Sequence, residues 1–439
     1  MELMKKIEVF DGRLLHDKPV PYPVGPVKCT LRGDGSSAGQ VINLDENLLS
    51  RHIMLLGGIG TGKTNTINQL LNQLLNNLTT EDIVIIFDTK GDFYREFYSP
   101  GDVVISNDGT ATGPNGPDYW NIYNEIEHDE HMEENIIEIA NALFREKKKK
   151  KEKIEKTNQP FFPNAAKDIF SAVLAHFIDY GKEDLMNNEH LKDFLDSTPS
   201  SDLRRLLNMR KSTRSMVSYI ADDSSAQTQG VLSEMQQAVR EMFIGNFKKK
   251  GTLSLRQLVR AKGGRCVFIE YDLGIGSMLA PIYSLMFDLA IKEALCRKKS
   301  AGSVYFITDE FSLLPNLRHV DDAVNFGRSL GIKFLIGYQN IEQIADIYGE
   351  ARAHSLLSGF LTGIFFRCND AGSVRYIKEF FGQNRKKEVF MSAVQGRGIS
   401  EQIRDAYVVE DWDISRLGLG DAIVGLPGAE PFRFHFARA

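Results

Sequence analysis

His52-Ile53-Met54-Leu55-Leu56-Gly57-Gly58-Ile59-Gly60-Thr61-Gly62-Lys63-Thr64 is the stretch on which the reading of this chain turns. Its four residues Ile53–Leu56 are an unbroken apolar run, as in a strand buried on both faces of a parallel sheet. Gly57 to Thr64 fits G-x-x-x-x-G-K-[ST], the phosphate-binding P-loop. Beyond it Ile67, Leu70, Leu71, Leu74, Leu75 and Leu78 recur at helical spacing. Strand, glycine loop and helix therefore follow in the order the motif needs. Glycines let the backbone curl so that several N–H groups face one anion, and the helix N-terminus adds partial positive charge. The expected nucleotide contacts are Gly57, Gly58, Ile59, Gly60, Thr61, Gly62, Lys63, Thr64 and Asn65. Lys63 is expected to reach the β- and γ-phosphates of ATP, and the Thr64 hydroxyl to ligate Mg2+.

Residues 83–87 are a second buried strand, ending in Asp88-Thr89-Lys90-Gly91-Asp92, where α/β proteins bind ligands. Residues 1–48, rich in Gly and Pro, read as a small β-rich lead-in with β-like pieces at 6–10 and 40–44. From residue 126 the pattern turns helical, with an amphipathic stretch at 165–180 and further helices to about 247. The lysine-rich run 145–153 reads as a solvated helix end or loop. The α/β pattern then resumes: strands at 266–270, 304–310, 334–339, 361–367 and 422–424, with helices at 278–296, 320–329 and 371–381. The expected organisation is α/β, a P-loop NTPase domain (49–125 and 248–439) with a mainly parallel central sheet, interrupted by an inserted all-α subdomain (126–247).

Phosphate binding alone does not hydrolyse ATP; a carboxylate for the metal and a group that activates water are also needed. Tyr305-Phe306-Ile307-Thr308-Asp309-Glu310, an apolar strand closed by two acids, is the Walker B pattern. Asp309 is the expected Mg2+ residue and Glu310 the expected general base. Gln339 ends the next strand, from where an amide can orient water. Arg328, on the helix expected between those strands, is a candidate for reaching a neighbouring subunit's nucleotide.

Composition sets outer bounds. A chain of 439 residues predicts about two or three domains, and 42% hydrophobic with 25% charged residues is ordinary for a globular protein. Net charge −5 does not advertise a nucleic-acid binder, but a local channel can be basic within an acidic exterior. Cys29, Cys266, Cys296 and Cys368 are widely spaced, which argues against a zinc site or disulfide framework and fits a reducing cytosol. No apolar run approaches the ~18–20 residues of a membrane span.

Together these residues resemble a family. Asp88-Thr89-Lys90-Gly91-Asp92 resembles the D-x-K-G-[DE] element of conjugative, type IV secretion coupling ATPases of the TraD/TrwB type. So do Asp309-Glu310-Phe311-Ser312-Leu313-Leu314-Pro315, Gly327-Arg328-Ser329-Leu330-Gly331, and Gly337-Tyr338-Gln339-Asn340-Ile341-Glu342-Gln343-Ile344 with Tyr348-Gly349. The resemblance runs from residue 40 to the C-terminus. It implies a RecA-like hexameric ring within the FtsK/HerA class, hydrolysing ATP with Mg2+ to move DNA, single-stranded, through a central channel. It implies Arg328 as a finger acting in trans and Gln339 as the γ-phosphate sensor. Coupling proteins of this type carry N-terminal transmembrane helices; this sequence displays none, so the expectation is a cytoplasmic motor, peripheral at the membrane through a partner, with a relaxase, nuclease or secretion channel as the candidate protein partners. Lys248-Lys249-Lys250 and Arg385-Lys386-Lys387 are candidate channel-lining clusters. The competing readings are a double-strand DNA translocase in DNA processing or phage defence, and a nucleotide-dependent assembly switch. Glu310 and Arg328 argue against the switch, which could dispense with either.

Overall fold

The computed structural model describes residues 6–144, 161–296, 302–315, 317–391 and 399–439. The lysine-rich run 145–153 lies outside the described residues. The described strands are β1 (Lys6–Asp11), β2 (Val27–Arg32), β3 (Val41–Asp45), β4 (Ile53–Leu56), β5 (Ile83–Asp88), β6 (Val103–Ile105) and β7 (Arg265–Glu270). They continue with β8 (Val304–Thr308), β9 (Ile332–Tyr338), β10 (Thr362–Phe365), β11 (Gln383–Met391), β12 (Ile399–Tyr407), β13 (Asp421–Gly425) and β14 (Phe432–His435). The fold is α/β. It divides into two compact units, one of residues 1–84, 299–312 and 320–439, the other of residues 85–298 and 313–319. The division does not follow the boundaries expected from the change in strand and helix pattern. Residues 1–48 form no unit of their own, and the second unit starts inside β5 rather than at residue 126.

In the first unit the strands lie in the order β14-β13-β10-β4-β9-β8. The four strands β10, β4, β9 and β8 are parallel, with Ile53 opposite Thr362 and Leu335, and Ile332 opposite Val304. All their residues are buried, which is why they read as continuous apolar runs rather than alternating ones. β13 runs antiparallel to β10, and β14 antiparallel to β13. A separate antiparallel sheet, β1-β11-β12, and the pair β2-β3 complete the unit.

The helix Lys63–Asn76 buries Ile67, Leu70, Leu71 and Leu74. Its polar edge, Asn65, Gln69 and Gln73 at intervals of four, acts as a ladder. Gln73 exchanges two bonds with Thr30 of β2, both 2.8 Å. Gln69 accepts from Arg32 N at 2.8 Å and donates to Ala437 O at 2.6 Å. Asn65 donates to Ala437 O and accepts from Ala439 N, each 2.8 Å. The C-terminal tail is thereby tied to the first turns of this helix.

The second unit holds β5, β7 and β6 in that order, with β6 and β7 parallel. It also holds the helices Met132–Leu143, Phe161–Tyr180, Asn188–Ser197, Ser200–Met209, Ala226–Met242, Leu255–Ala261 and Gly276–Ala294. At its centre the fully buried Glu125 accepts from Trp120 Nε1 (2.9 Å), Ser254 Oγ (2.9 Å), Leu255 N (2.6 Å) and Arg256 N (3.2 Å). Those donors offset the cost of burying a carboxylate. Segment 313–319, which follows Glu310 in the chain, belongs to this unit. Asp288 accepts from Arg318 N and His319 N, at 2.8 and 2.9 Å, and His319 pairs with Glu138 at 2.6 Å. Among the described residues no helix is long and apolar enough to cross a membrane.

Candidate nucleotide-binding site

Because β4, β8, β9 and β10 are parallel, everything that follows them in the chain collects at one edge of the sheet. The P-loop leaves β4 there. Gly57 N donates to Tyr338 O at 3.1 Å and Gly58 N to Arg367 O at 3.0 Å, so the loop is tied to the strands on either side. Gly60 and Gly62 sit at φ of +69° and +121°, a region L side chains rarely adopt. Thr61 Oγ1 donates to Gly58 O at 2.9 Å, and Thr66 N to Gly62 O at 3.1 Å starts the helix. Ile59 stands at the exposed crown of the loop and Thr64 is half-buried in the first helical turn. Lys63 is buried with its Nζ inside the loop, donating to Gly57 O (2.5 Å) and Gly58 O (2.9 Å). An ammonium enclosed by a curl of backbone is an anion site.

The end of β8 delivers Asp309 and Glu310, each 8% exposed. Ser312 Oγ donates to Glu310 Oε1 at 2.5 Å. Burial holds the Glu310 carboxyl above its ordinary range; the Ser312 hydroxyl, Lys63 and the Gln339 amide draw it back, while Asp309 pushes it up. Glu310 is therefore surrounded by the other expected residues, Lys63, Asp309 and Gln339. Its Oε2 is buried without a hydrogen-bond partner among the described residues. A buried carboxylate raised in this way, beside an ammonium, is suited to taking a proton from water. Thr64 and Asp309 offer hard oxygen donors, the kind Mg2+ takes.

Arg328 lies elsewhere. The helix expected over 320–329 stops at Phe326, and Gly327–Leu330 is a 3-10 turn that a left-handed Gly331 leads into β9. The exposed Arg328 donates to Asn47 Oδ1 at 2.7 Å. It precedes β9, whereas the P-loop follows β4, so the two sit at opposite edges of parallel strands.

The cluster Arg385-Lys386-Lys387 is committed to other contacts, whereas Lys248, Lys249 and Lys250 are exposed. Lys386 bonds Tyr407 O (2.8 Å) and Glu410 (3.3 Å), Lys387 pairs with Glu401 (2.7 Å) and Arg385 with Asp405 (3.8 Å). All three lie on β11, and most of these partners stand across the β11–β12 ladder. Lys249 sits over the Tyr119 ring at 4.6 Å. Asp88, too, is engaged locally: its carboxylate accepts from Tyr94 N (2.8 Å) and Lys90 N (3.3 Å), closing the turn onto the helix Asp92–Phe97.

The sequence profile of the type IV secretion-system coupling protein DNA-binding domain matches residues 37–418, well over half of the chain. The chain belongs to this family. Coupling protein TraD of Escherichia coli (strain K12) is 24% identical over 451 residues, covering 97% of this chain and 57% of TraD. The coupling-protein chain thus spans little more than half the length of that relative. The fold is similar to unbound TrwBΔN70, a bacterial conjugative coupling protein (TM-score 0.70, 19% identity, covering 90% of this chain and 87% of that one). It is similar also to the plasmid coupling protein TrwB in complex with ADP and Mg2+ (TM-score 0.68, 18% identity, covering 91% and 87%). Within this coupling-protein chain, three features carried no sequence signal: Ser312 on Glu310, the C-terminal tail on the P-loop helix, and the strand β14 beside the loop. The tail depends on contacts between residues more than 350 positions apart, while β14 pairs with the neighbouring β13.

Proposed function

We propose that this chain is the ATP-hydrolysing motor of a coupling protein, moving DNA, single-stranded, in conjugative transfer. The observation that carries the reading is the convergence on Glu310 of Lys63, Asp309 and Gln339 at the carboxyl edge of one parallel sheet. The P-loop amides and Lys63 hold the phosphates of ATP. Thr64 and Asp309 hold Mg2+, which neutralises developing charge on the transferring phosphoryl group. Glu310 takes the proton of the attacking water, and Gln339 orients that water. Arg328 serves the pocket of a neighbouring copy in a ring, since its own P-loop lies at the other edge of the sheet. TrwB in complex with ADP and Mg2+ supports the choice of ligand, and the coupling-protein family supports DNA as the cargo. The protein partners on this reading are a relaxase or nuclease and a secretion channel.

Steady-state ATP turnover with Mg2+, measured without DNA, with single strands and with duplex, tests this, together with displacement of streptavidin from a biotinylated oligonucleotide. Stimulation by single strands and ATP-dependent displacement are expected. Stimulation by duplex alone would overturn the single-strand assignment in favour of a double-strand pump. Turnover indifferent to DNA, with no displacement, would overturn the motor.

A further inference from the structure

The two carboxylate oxygens of Glu310, the proposed base, are not equivalent. Ser312 Oγ donates to Oε1 at 2.5 Å, while Oε2 is buried with no hydrogen-bond partner among the described residues. A carboxylate only accepts, so the proton of that bond is the serine's. The last torsion of a glutamate is broad and roughly two-fold, so a free carboxylate presents either oxygen to its surroundings. A hydrogen bond to one oxygen restricts that turn and leaves the other to act. A serine two positions after an acid can merely close a turn; what sets Ser312 apart is that its partner is the base.

The serine is itself held in place. It is the middle residue of the 3-10 turn Phe311–Leu313. Phe311 is fully buried, edge-on to Tyr338 at 5.7 Å and stacked on Tyr348 at 5.9 Å between ring centroids. Tyr338 ends β9 and directly precedes Gln339, so the turn that carries Ser312 packs against the strand that delivers the water-orienting amide. On the other side of the base, Glu310 N donates to the wholly buried Thr308 Oγ1 at 3.2 Å. Residues 308–312 and 338–348 lie in one compact unit. The backbone at Glu310 and the hydroxyl on its carboxylate are thus both fixed, as a base acting on a positioned water requires.

We propose that Ser312 is a positioning residue for hydrolysis: its hydroxyl pins Oε1 of Glu310, so that Oε2 takes the proton of the attacking water. In that step one O–H bond of the water breaks and its proton bonds to Oε2. The water oxygen bonds to the γ-phosphorus as the bond from that phosphorus to the β–γ bridging oxygen breaks, its electron pair leaving with ADP. The inference rests on Glu310 being the base, and the test separates the two claims.

ATP turnover of the full chain with Mg2+, measured over a range of ATP concentrations, compares wild type, Ser312→Ala, Ser312→Thr, Glu310→Gln and the double variant S312A/E310Q. Ser312→Ala is expected to lower kcat ~10-fold with KM unchanged, a part of the ~10²-fold or more lost with Glu310 itself. Ser312→Thr, which keeps the hydroxyl, is expected to return kcat to within ~3-fold of wild type. In the Glu310→Gln background, Ser312→Ala is expected to cost less than ~2-fold, because a group that acts through the base has nothing left to position. Wild-type kcat in Ser312→Ala overturns the proposal. A raised kcat does so too, since the hydroxyl would then hold the base away from the water. The same loss in both backgrounds, or no recovery with threonine, also overturns it, because Ser312 would then support the turn rather than the base. If Glu310→Gln hydrolyses ATP at the wild-type rate, the base assignment itself falls and the role of Ser312 with it.

Discussion

His52, just before the P-loop strand, has a backbone φ of +58° and is almost wholly buried. Its Nδ1 accepts from Phe334 N at 3.1 Å, and its Nε2 lies 3.1 Å from Val324 O, where it donates. Both ring nitrogens are satisfied in the neutral form, and a second proton would face an N–H. Burial, opposed by the Val324 carbonyl, drops the pKa from 6.5 to about 4. Between those values the unfolded chain binds the proton and the folded one does not, so stability falls as pH falls. The linkage amounts to about 3 kcal/mol, lost between pH ~6.5 and ~4. Urea unfolding of wild type and His52→Gln at pH 7 and 4.5 should show the wild-type advantage shrinking at the lower pH. An identical pH slope in the two proteins would refute this role. Glu310 gives the chemical counterpart. Glu310→Gln should bind ATP but hydrolyse it ~10²-fold or more slowly. The wild-type rate should fall as pH drops through a Glu310 pKa raised by burial, and this acid limb should vanish in the variant. Wild-type turnover in Glu310→Gln would assign the base elsewhere. Lys63 and the pair Asp309-Glu310 could be singled out because each stands in a short local motif, and the structure brings them together; His52 could not, since its partners lie more than 270 positions away and nothing local marks a left-handed histidine.

At the scale of elements, the join between β8 and β9 bears most directly on chemistry. A Cβ at Gly337 would stand 2.4 Å from the Asp309 carbonyl oxygen. Gly337→Ala must therefore move the end of β8 that carries both carboxylates, without changing any charge. Small displacements of reacting groups are costly, so ATP turnover should fall ~10-fold or more while calorimetry still registers ATP binding. Undiminished turnover would mean that the two strands part without consequence for the site. The strands β4, β5 and β7–β10 were legible as apolar runs, because both of their faces are buried. β11 was not: Gln383-Asn384-Arg385-Lys386-Lys387-Glu388 is polar throughout and is held by cross-strand ion pairs with β12. β14, no shorter than β4 or β10, was not legible because Phe432-Arg433-Phe434-His435 alternates buried and half-buried residues instead of forming an apolar run, yet it finishes the edge of the sheet. The helix before β9 ran three residues too long in the sequence reading, since nothing apolar marks the change to a 3-10 turn after Phe326.

For the whole molecule, a net charge of −5 offers no general attraction to DNA. The β11 cations are already paired. DNA contact on the proposed reading is local, made with phosphates, and should weaken steeply with salt while depending little on sequence. Fluorescence anisotropy with unrelated oligonucleotides across a salt series measures both; a tight, salt-insensitive preference for one sequence would contradict a pump. Arg328 raises the remaining question of assembly. β9 alone, seven residues at ~3.3 Å each, separates it by about 23 Å from the catalytic edge. Arginine fingers supply ~10³–10⁵ in rate where measured, so a finger at that distance can act only on another copy. The most direct measurement mixes Lys63→Ala, with a spoiled pocket and an intact arginine, with Arg328→Ala, with the reverse. Each alone should be nearly inactive. Mixed at concentrations that allow exchange of subunits, they should regain part of the ATPase activity, because some interfaces then join a good pocket to a good finger. Full activity of Arg328→Ala by itself, or no recovery in assemblies demonstrated to contain both variants, would contradict an active site shared between neighbouring chains.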